Sequence, residues 1–326
     1  MKTITPGKRK KLEKLSSKDN IIAALAIDQR GAIRKMIDKI DPQLNNQENI
    51  ENFKTLVSKE LTPFASSILL DPIYGLKAAK VRDENAGLLL AYEVTGYDNE
   101  TPGRLPRLLD NWSVKRILEE GADAVKILLY FDIDESEDIN EQKKAFVERV
   151  GSECMGEDIP FFLELVSYDS KISDSKSKEY AKIKPKKIID AMKLFSEERY
   201  NVDVLKVEVP VNMSYVEGYG DDVLYSKQEA LDLFKEQADS TSLPFIFLSA
   251  GVSAELFQET IKFAKEAGST FNGVLCGRAT WAGGVEEFFK SEEDGKKWLE
   301  TQGRQNIEEL NEILEVSASP WTEKLS

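Results

Sequence analysis

The sequence contains no histidine, and this absence removes several kinds of catalytic and metal-binding site. Serine and cysteine hydrolases of the triad type need an imidazole beside the nucleophile, so they are excluded. Zinc, iron and copper centres that depend on imidazole ligands are excluded for the same reason. Proton transfer near neutral pH must therefore be carried out by carboxylates, lysines, tyrosines or the substrate itself.

Cysteine is also scarce, because the 326 residues include only Cys154 and Cys276. These two residues form neither a disulfide framework nor a zinc-binding spacing. No apolar run is long enough to cross a membrane, and no apolar segment follows the basic residues 2–10. We therefore expect no signal peptide and no membrane partner, and a reducing cytoplasm is the location that fits best.

The chain has fewer basic than acidic residues. It contains 44 lysine and arginine residues and 58 aspartate and glutamate residues, which give a net charge of −14. Such an acidic chain is a poor general partner for nucleic acid, and an anionic ligand must be bound by a local cluster of basic groups. The chain is 41% hydrophobic and has no strong linker. It can therefore bury a large core, and we expect a single domain over residues 1–326.

Eight short apolar segments recur along the chain, with helix-like stretches between them. They are Ile21–Ile27, Ser66–Leu70, Gly87–Tyr92, Ala124–Tyr130, Pro160–Val166, Asp203–Pro210, Pro244–Leu248 and Gly273–Cys276. Eight strands that alternate with helices in a chain of this length predict an α/β fold, a (β/α)₈ TIM barrel. A doubly wound sheet is the alternative, and the lack of a G-x-G-x-x-G or Walker motif after the first strand weakens it.

Amphipathic patterns predict helices between these strands. They cover residues 48–61, 112–121, 141–154, 226–238, 253–268 and 306–315. The last pattern and a first helix near residues 8–14 are left over from the eight repeats, and we expect both to be extra terminal helices that cap the barrel. The polar segment 167–187 is the most loop-like stretch, and it is either a solvated loop without a role or a lid over the site.

Charged side chains interrupt three of the apolar strands, at Lys126, Glu164 and Lys206. Because side chains alternate along a strand, these three would face away from the apolar neighbours that contact the helices. One such residue is often a half-exposed position or a structural ion pair. Three that converge on one cavity are hard to explain structurally, since burying unpaired charge is costly, and they indicate a shared functional site.

Further polar residues stand at the carboxyl ends of the predicted strands, where this type of barrel places its ligands. The strand ends contribute Asp28, Gln29, Arg30, Asp71, Lys126, Glu164, Lys206, Glu208, Ser249 and Arg278. Arg278 after Gly277, with Ser249 and Gly251, is typical of the phosphate site that barrels form after strands seven and eight. Arg30 is a candidate for holding a second anionic group. The alternative for Arg278 is a simple surface cation.

These residue types indicate imine chemistry. A lysine held among apolar walls beside another cation keeps a reactive neutral amine, which can attack a ketone. Lys126 is a candidate for the second cation beside Lys206. The protonated imine is an electron sink that labilises a nearby C–C bond, and Glu164 is placed to transfer protons.

Several longer blocks resemble the class I tagatose 1,6-bisphosphate aldolases, and the similarity runs over essentially the whole chain. The blocks are residues 28–31, 67–72, 151–154, 204–212, 248–253, 276–282 and 319–324. The resemblance implies a (β/α)₈ barrel and Schiff-base catalysis with no metal and no other cofactor. It implies reversible cleavage of tagatose 1,6-bisphosphate in lactose and galactose catabolism, with fructose 1,6-bisphosphate as a second substrate. The family is also associated with homodimers.

Carried over by position, Lys206 matches the family's Schiff-base lysine and Glu164 its acid–base carboxylate. The positions that line the family's substrate site match Asp28, Lys126, Ser249 and Arg278, with Gln29 and Arg30 beside them. Two other functions stay open. A non-catalytic phosphosugar-binding regulatory barrel would have no use for Lys206 in a strand near Glu164. An isomerase or epimerase that uses carboxylates alone would leave the burial of both lysines unexplained.

Overall fold

Eight parallel strands form a closed barrel in the computed structural model, which describes residues 2–94 and 102–326. Each strand pairs with its sequence neighbours, and the last strand closes on the first. The strands are β1 (Ile22–Ala26), β2 (Ser67–Leu70), β3 (Gly87–Ala91), β4 (Ala124–Phe131), β5 (Phe161–Ser167), β6 (Val204–Val207), β7 (Phe245–Leu248) and β8 (Gly273–Cys276). The predicted (β/α)₈ barrel is therefore confirmed, and the doubly wound sheet is excluded.

Helices surround the barrel, and most of them join consecutive strands. In the described residues they are α1 (Pro6–Lys14), α2 (Gly31–Ile40), α3 (Gln47–Leu61), α4 (Leu76–Val81), α5 (Val114–Glu119), α6 (Glu137–Gly156), α7 (Lys178–Phe195), α8 (Lys227–Asp239), α9 (Ala254–Glu266), α10 (Arg278–Trp281), α11 (Gly283–Lys290), α12 (Glu292–Trp298) and α13 (Arg304–Ser317). Polar side chains begin several of them. Ser226 and Ser253, for example, accept hydrogen bonds from backbone N–H groups in the first turns of α8 and α9.

The segment 167–187 differs from its prediction as a loop. Ser167 ends β5, and α7 begins at Lys178, where the Ser177 hydroxyl accepts a hydrogen bond from the Tyr180 N–H. Two of the buried positions of α7 are lysines, Lys184 and Lys187. Because buried helix positions are normally apolar, these lysines concealed the amphipathic pattern. The loop is thus confined to residues 168–177.

The sixth strand is shorter than predicted, because it ends at Val207 instead of Pro210. Proline has no backbone N–H to donate to the next strand, which favours an early end of the ladder. The Glu208 side chain instead turns back to β5 and accepts hydrogen bonds of 2.7 Å from both the N–H and the hydroxyl of Ser167. Glu208 therefore joins the ends of β5 and β6.

The hydrophobic core forms two layers on either side of the barrel wall. The outer layer lies between strands and helices and contains residues such as Val125, Leu163 and Leu205. The inner layer fills the barrel, and Phe162 and Val204 belong to it. Because side chains alternate along a strand, the positions two residues further on, Glu164 and Lys206, face the same interior.

The terminal segments close the amino-terminal end of the barrel. Leu12 and Leu15, from α1 and its end, pack with Trp321 and Leu325 against the inner layer, and all four are fully buried. The prediction that the first helix caps the barrel is therefore confirmed. The same prediction for the last helix was wrong, since α13 packs against α9 and α3 in the outer ring. Within the described residues, no helix is long and apolar enough to span a bilayer.

Candidate active site

A cavity of about 900 Å³ lies at the carboxyl ends of the strands, opposite the end that α1 closes. All the predicted site residues except Arg30 and Asp71 line it. They are Asp28, Gln29, Lys126, Glu164, Lys206, Glu208, Ser249, Gly251, Gly277 and Arg278. Arg30 is buried and does not line the cavity. Its Nη2 donates a hydrogen bond of 2.7 Å to the carbonyl oxygen of Glu93. The barrel therefore brings these predicted residues together from six of its strands, and Arg30 and Asp71 stay outside the cavity lining.

The strand register places Lys206 beside Glu164. The two residues are direct partners across the β5–β6 ladder, and both side chains face the barrel interior. Lys206 Nζ lies 2.7 Å from Glu164 Oε1, and the two residues are only 3% and 6% exposed. A buried amine thus has a carboxylate within the distance needed for direct proton transfer.

Lys126 lies at the centre of a buried ion-pair network. Its Nζ is 2.6 Å from Glu164 Oε2 and 2.9 Å from both Asp28 Oδ2 and Glu93 Oε1. Glu164 therefore bridges the two lysines with its two carboxylate oxygens. Such a network holds each side chain in one position, because each charge would be costly to bury alone.

The charges around Lys126 determine which of these groups are ionised. Burial disfavours a charged amine, but Asp28, Glu164 and Glu93 outweigh it and raise the pKa of Lys126 well above its ordinary value. Burial also opposes the ionisation of Asp28, but Lys126 and Lys206 outweigh it and hold the pKa of Asp28 below its usual range. For Glu93, burial wins over Lys126 and Arg30 and raises the pKa. Lys126 is therefore a permanent cation.

The role predicted for Lys126 as a second cation beside Lys206 stays a prediction, and the two lysines share Glu164 as a partner. Three carboxylates neutralise Lys126, whereas Lys206 contacts Glu164 alone among the described acidic residues. The positive charge of Lys126 lies within 2.9 Å of all three carboxylates. Of the two buried lysines, Lys206 therefore has the simpler surroundings, with a single carboxylate as its ion-pair partner in the described residues.

Glu93 belongs to the site but was missed by the sequence analysis. It follows β3 by two residues, lines the cavity and contacts Lys126. The rule that found the other residues, which examines the carboxyl end of each strand, would have found Glu93 at the third strand as well. The third strand is predicted to end at Tyr92, the last residue of the apolar run Gly87–Tyr92, and the acidic residue that follows this run was not considered.

The loop after β7 forms a tight turn against Arg278. Ala250 and Gly251 have φ values of 49° and 76°, and the Val252 N–H donates to the Ser249 carbonyl at 3.1 Å. A Cβ at Gly251 would lie 2.7 Å from Arg278 Nη2, and the positive φ at this position favours glycine. Backbone turns of this kind form concave sites that bind anions, and the guanidinium adds a second donor set.

The fold and the site together define a barrel enzyme of the aldolase type. A buried lysine lies beside a carboxylate at the mouth of the barrel, and a tight turn lies against an arginine; these are the residue types that Schiff-base chemistry and phosphate binding require. A family model described as DeoC/LacD family aldolase matches residues 22–283. The chain belongs to this family and is a lyase.

Curated relatives support the same assignment over the full length. The chain is 63% identical to tagatose 1,6-diphosphate aldolase 1 of Enterococcus faecalis over 326 residues, which is 100% of both chains. It is 62% identical to tagatose 1,6-diphosphate aldolase 2 of the same species, covering 100% of this chain and 98% of that one. The corresponding protein of Lactococcus lactis subsp. lactis is 59% identical, with 99% of each chain covered. The resemblance found in the sequence is confirmed.

Solved structures of other aldolases share the fold at low sequence identity. A fructose-bisphosphate aldolase from Plasmodium falciparum matches with a TM-score of 0.65 and 17% identity, and the match covers 100% of this chain and 98% of that one. An archaeal fructose 1,6-bisphosphate aldolase matches with a TM-score of 0.57 and 16% identity, with coverages of 95% and 98%. At these identities the likeness establishes the barrel architecture alone.

Proposed function

We propose that the protein cleaves tagatose 1,6-bisphosphate reversibly to dihydroxyacetone phosphate and glyceraldehyde 3-phosphate, through a Schiff base on Lys206. The names of the full-length relatives support this substrate. The observation that carries the chemistry is the buried chain from Lys206 through Glu164 to Lys126, at 2.7 and 2.6 Å. A metal would not be needed, because the imine itself withdraws the electrons.

The first half of the reaction forms the imine. Glu164 accepts a proton from the ammonium of Lys206, and the neutral amine attacks the C2 carbonyl of the ketose to give a carbinolamine. Protonated Glu164 then donates to the C2 hydroxyl, which leaves as water and gives the protonated imine. Lys126 holds Glu164 in position during both transfers, since it contacts the second carboxylate oxygen.

The second half cleaves the carbon chain. A carboxylate accepts the proton of the C4 hydroxyl, the C3–C4 bond breaks, and its electron pair moves into the iminium to form an enamine. Glyceraldehyde 3-phosphate leaves as the aldehyde. Protonation of the enamine at C3 and addition of water at C2 release dihydroxyacetone phosphate and restore the lysine. Glu164 is the proposed proton carrier, and Asp28 lies on the same Lys126 amine at 2.9 Å.

The phosphate next to the reacting ketone is assigned to the turn after β7 and to Arg278. Ser249, Gly251 and Gly277 line this part of the cavity together with the guanidinium. Arginine binds a phosphate through two parallel hydrogen bonds, and the turn adds backbone donors. Fructose 1,6-bisphosphate carries the same groups at C1 and C2 and is proposed as a second substrate.

Reductive trapping tests the proposal. Dihydroxyacetone phosphate with borohydride should inactivate the protein and add mass to the peptide that carries Lys206, because reduction makes the imine permanent. The Lys206→Met variant should gain no such mass, and borohydride alone should leave the wild type active. An adduct on Lys126, or no adduct at all, would overturn the assignment.

We also propose a cytoplasmic location and a homodimeric state. Cys154 and Cys276 are both buried and unpaired, which suits a reducing compartment. The homodimer rests on the family resemblance, and sedimentation of the purified chain at several concentrations would test it. A monomer at micromolar concentration would contradict the proposed dimer.

A further inference from the structure

A ketose bisphosphate needs a second anion site, and Arg30, the residue predicted for it, is buried and is not among the residues that line the cavity. This inference rests on the proposed function, because it concerns the other end of the same substrate. The basic residues that line the cavity are Arg104, Lys126, Lys176, Lys184, Lys206 and Arg278. A basic residue that does not bind the reacting end of the substrate must therefore bind the second phosphate.

Most of these cations already have an acidic partner. Lys126 and Lys206 belong to the network around Glu164, and Lys184 Nζ lies 3.5 Å from Glu208 Oε1. Arg278 is assigned to the first phosphate. Of the cavity cations, Arg104 and Lys176 have no ion pair with any acidic side chain in residues 2–94 and 102–326, so one of these two is the candidate.

Aromatic rings hold Arg104 in place. Its guanidinium carbon lies 4.4 Å from the ring centre of Tyr168 and 5.3 Å from that of Tyr130, and both rings line the cavity. Lys176, in contrast, is exposed and lies in the loop 168–177. A stacked arginine loses little freedom when it binds, and its planar fork matches a phosphate, whereas a solvated lysine must be immobilised.

The backbone at Arg104 adopts a conformation that is unfavourable for a residue with a Cβ. Gly103 and Arg104 have φ values of 82° and 44°, and a residue with a Cβ rarely adopts such values. A Cβ at Gly103 would lie 2.8 Å from Ile139 Cγ2, so the turn packs tightly against α6. Strain of this kind is typical of residues that a site holds in position.

The position of Arg104 around the barrel fits the direction in which the substrate would extend. Its aromatic partners lie at the ends of β4 and β5, whereas the first phosphate site follows β7 and β8. In a closed barrel of eight strands, β4 stands opposite β8. Lys206, on β6, lies between the two. A six-carbon chain joined to Lys206 at C2, with its C1 phosphate at Arg278, therefore extends toward β4.

We propose that Arg104 is the ligand of the distal phosphate, at C6, and so makes the enzyme select bisphosphates over monophosphates. Arg104 contacts no atom of the reacting ketone in this arrangement. It contributes binding at one end of the substrate and leaves the imine chemistry unchanged.

The test compares cleavage of tagatose 1,6-bisphosphate and tagatose 1-phosphate by the wild type and by the Arg104→Met, Arg104→Lys and Lys176→Met variants. Arg104→Met should lower kcat/KM for the bisphosphate by about 10²-fold, or ~2.8 kcal/mol, and should leave the monophosphate within about twofold. Arg104→Lys should fall between, because a lysine keeps the charge and loses the fork. Lys176→Met is the matched control and should resemble the wild type.

Other results would contradict the assignment to Arg104. Equal losses on both substrates, an unchanged bisphosphate rate in Arg104→Met, or a larger loss in Lys176→Met would each do so. Calorimetric binding of an unreactive probe, hexitol 1,6-bisphosphate, separates this proposal from the catalytic one. If the wild type cleaved neither sugar, the proposed function would fail, while an affinity about 10²-fold lower in Arg104→Met would still support the phosphate role. Unchanged affinity would refute it.

Discussion

Lys126 and Lys206 are both buried lysines on the inner face of the barrel, and their neighbours give them different roles. Lys126 contacts three carboxylates, which raise its pKa and keep it charged. Lys206 contacts Glu164 alone in the described part of the chain. Removing the Glu164 carboxylate leaves Lys126 with two acidic partners, whereas Lys206 loses its one ion pair in the described residues.

The first residue-scale prediction follows from this arrangement. Glu164→Gln keeps the side-chain shape but cannot accept or donate the proton that imine formation needs. Turnover should fall by about 10²–10⁴-fold, which is the usual contribution of general acid–base catalysis. Binding of the substrate should persist, because the proposed phosphate ligands are unchanged. Steady-state kinetics, calorimetric binding and thermal unfolding of the same preparation provide the three measurements.

Glu208→Gln is the matched control for this experiment. Glu208 also lines the cavity, but its carboxylate contacts Ser167 and Lys184 and neither buried lysine of the network. Its turnover should stay close to that of the wild type. Near-normal turnover in well-folded Glu164→Gln would instead assign the proton transfer to Asp28 or Glu208.

At the scale of elements, buried ion pairs attach helices to the barrel. Lys54 on α3 pairs with Asp71, which follows β2, and both residues are fully buried. The other oxygen of Asp71 accepts hydrogen bonds from the Ile73 and Tyr74 N–H groups at 3.0 and 2.9 Å. Asp71 therefore shapes the loop after β2 while Lys54 neutralises its charge.

The prediction at this scale is that Lys54→Met destabilises the protein strongly. It leaves Asp71 charged and buried without a cation, which typically costs about 3–5 kcal/mol in the free energy of unfolding. Urea unfolding measures this loss. Adding Asp71→Asn to Lys54→Met should recover part of it, because the amide keeps an acceptor oxygen and removes the charge. No recovery in the double variant would contradict the electrostatic explanation.

A surface pair between α3 and α4 provides the control. Lys77 Nζ lies 2.6 Å from Glu51 Oε2, but the Lys77 side chain is 65% exposed. Because water screens such a pair, Lys77→Met should leave the free energy of unfolding close to that of the wild type. Comparing Lys54→Met with Lys77→Met thus separates the effect of burying an ion pair on the free energy of unfolding from the effect of forming one.

For the whole molecule, the distribution of functional groups predicts activity without a metal ion. In the described residues, no group of three or more cysteine, aspartate or glutamate side chains is arranged to hold a metal ion. The three carboxylates nearest the cavity floor are instead directed at Lys126. A cation in that position would compete with a lysine amine that is already charged.

Cleavage activity should therefore survive dialysis against a strong chelator, with kcat and KM unchanged within error. The measurement is steady-state kinetics before and after dialysis, with metal content checked by elemental analysis. Loss of activity that returns when a divalent ion is added would contradict the imine mechanism. A loss that no ion restores would point to damage of the protein and would be checked by its unfolding curve.

Much of this architecture could be predicted from the sequence, because the signals are local. Short apolar runs and their spacing predict eight strands, and a charged residue within such a run marks the inner face at Lys126, Glu164 and Lys206. The sequence predictions failed where a charged residue is buried. The buried lysines of α7 made the sequence of this helix resemble that of a loop, and Glu93 was missed because it follows an apolar strand.

The sequence by itself determined the barrel and the residue types at its carboxyl end, since side-chain alternation follows from the backbone of a strand. Only the tertiary structure decided which groups meet. Glu164 lies between two lysines because of the register of β4, β5 and β6, and Arg30 is buried where it donates a hydrogen bond to the carbonyl oxygen of Glu93. These contacts join residues that are far apart in the chain, and ion pairing depends on distances of a few ångströms that no local pattern encodes.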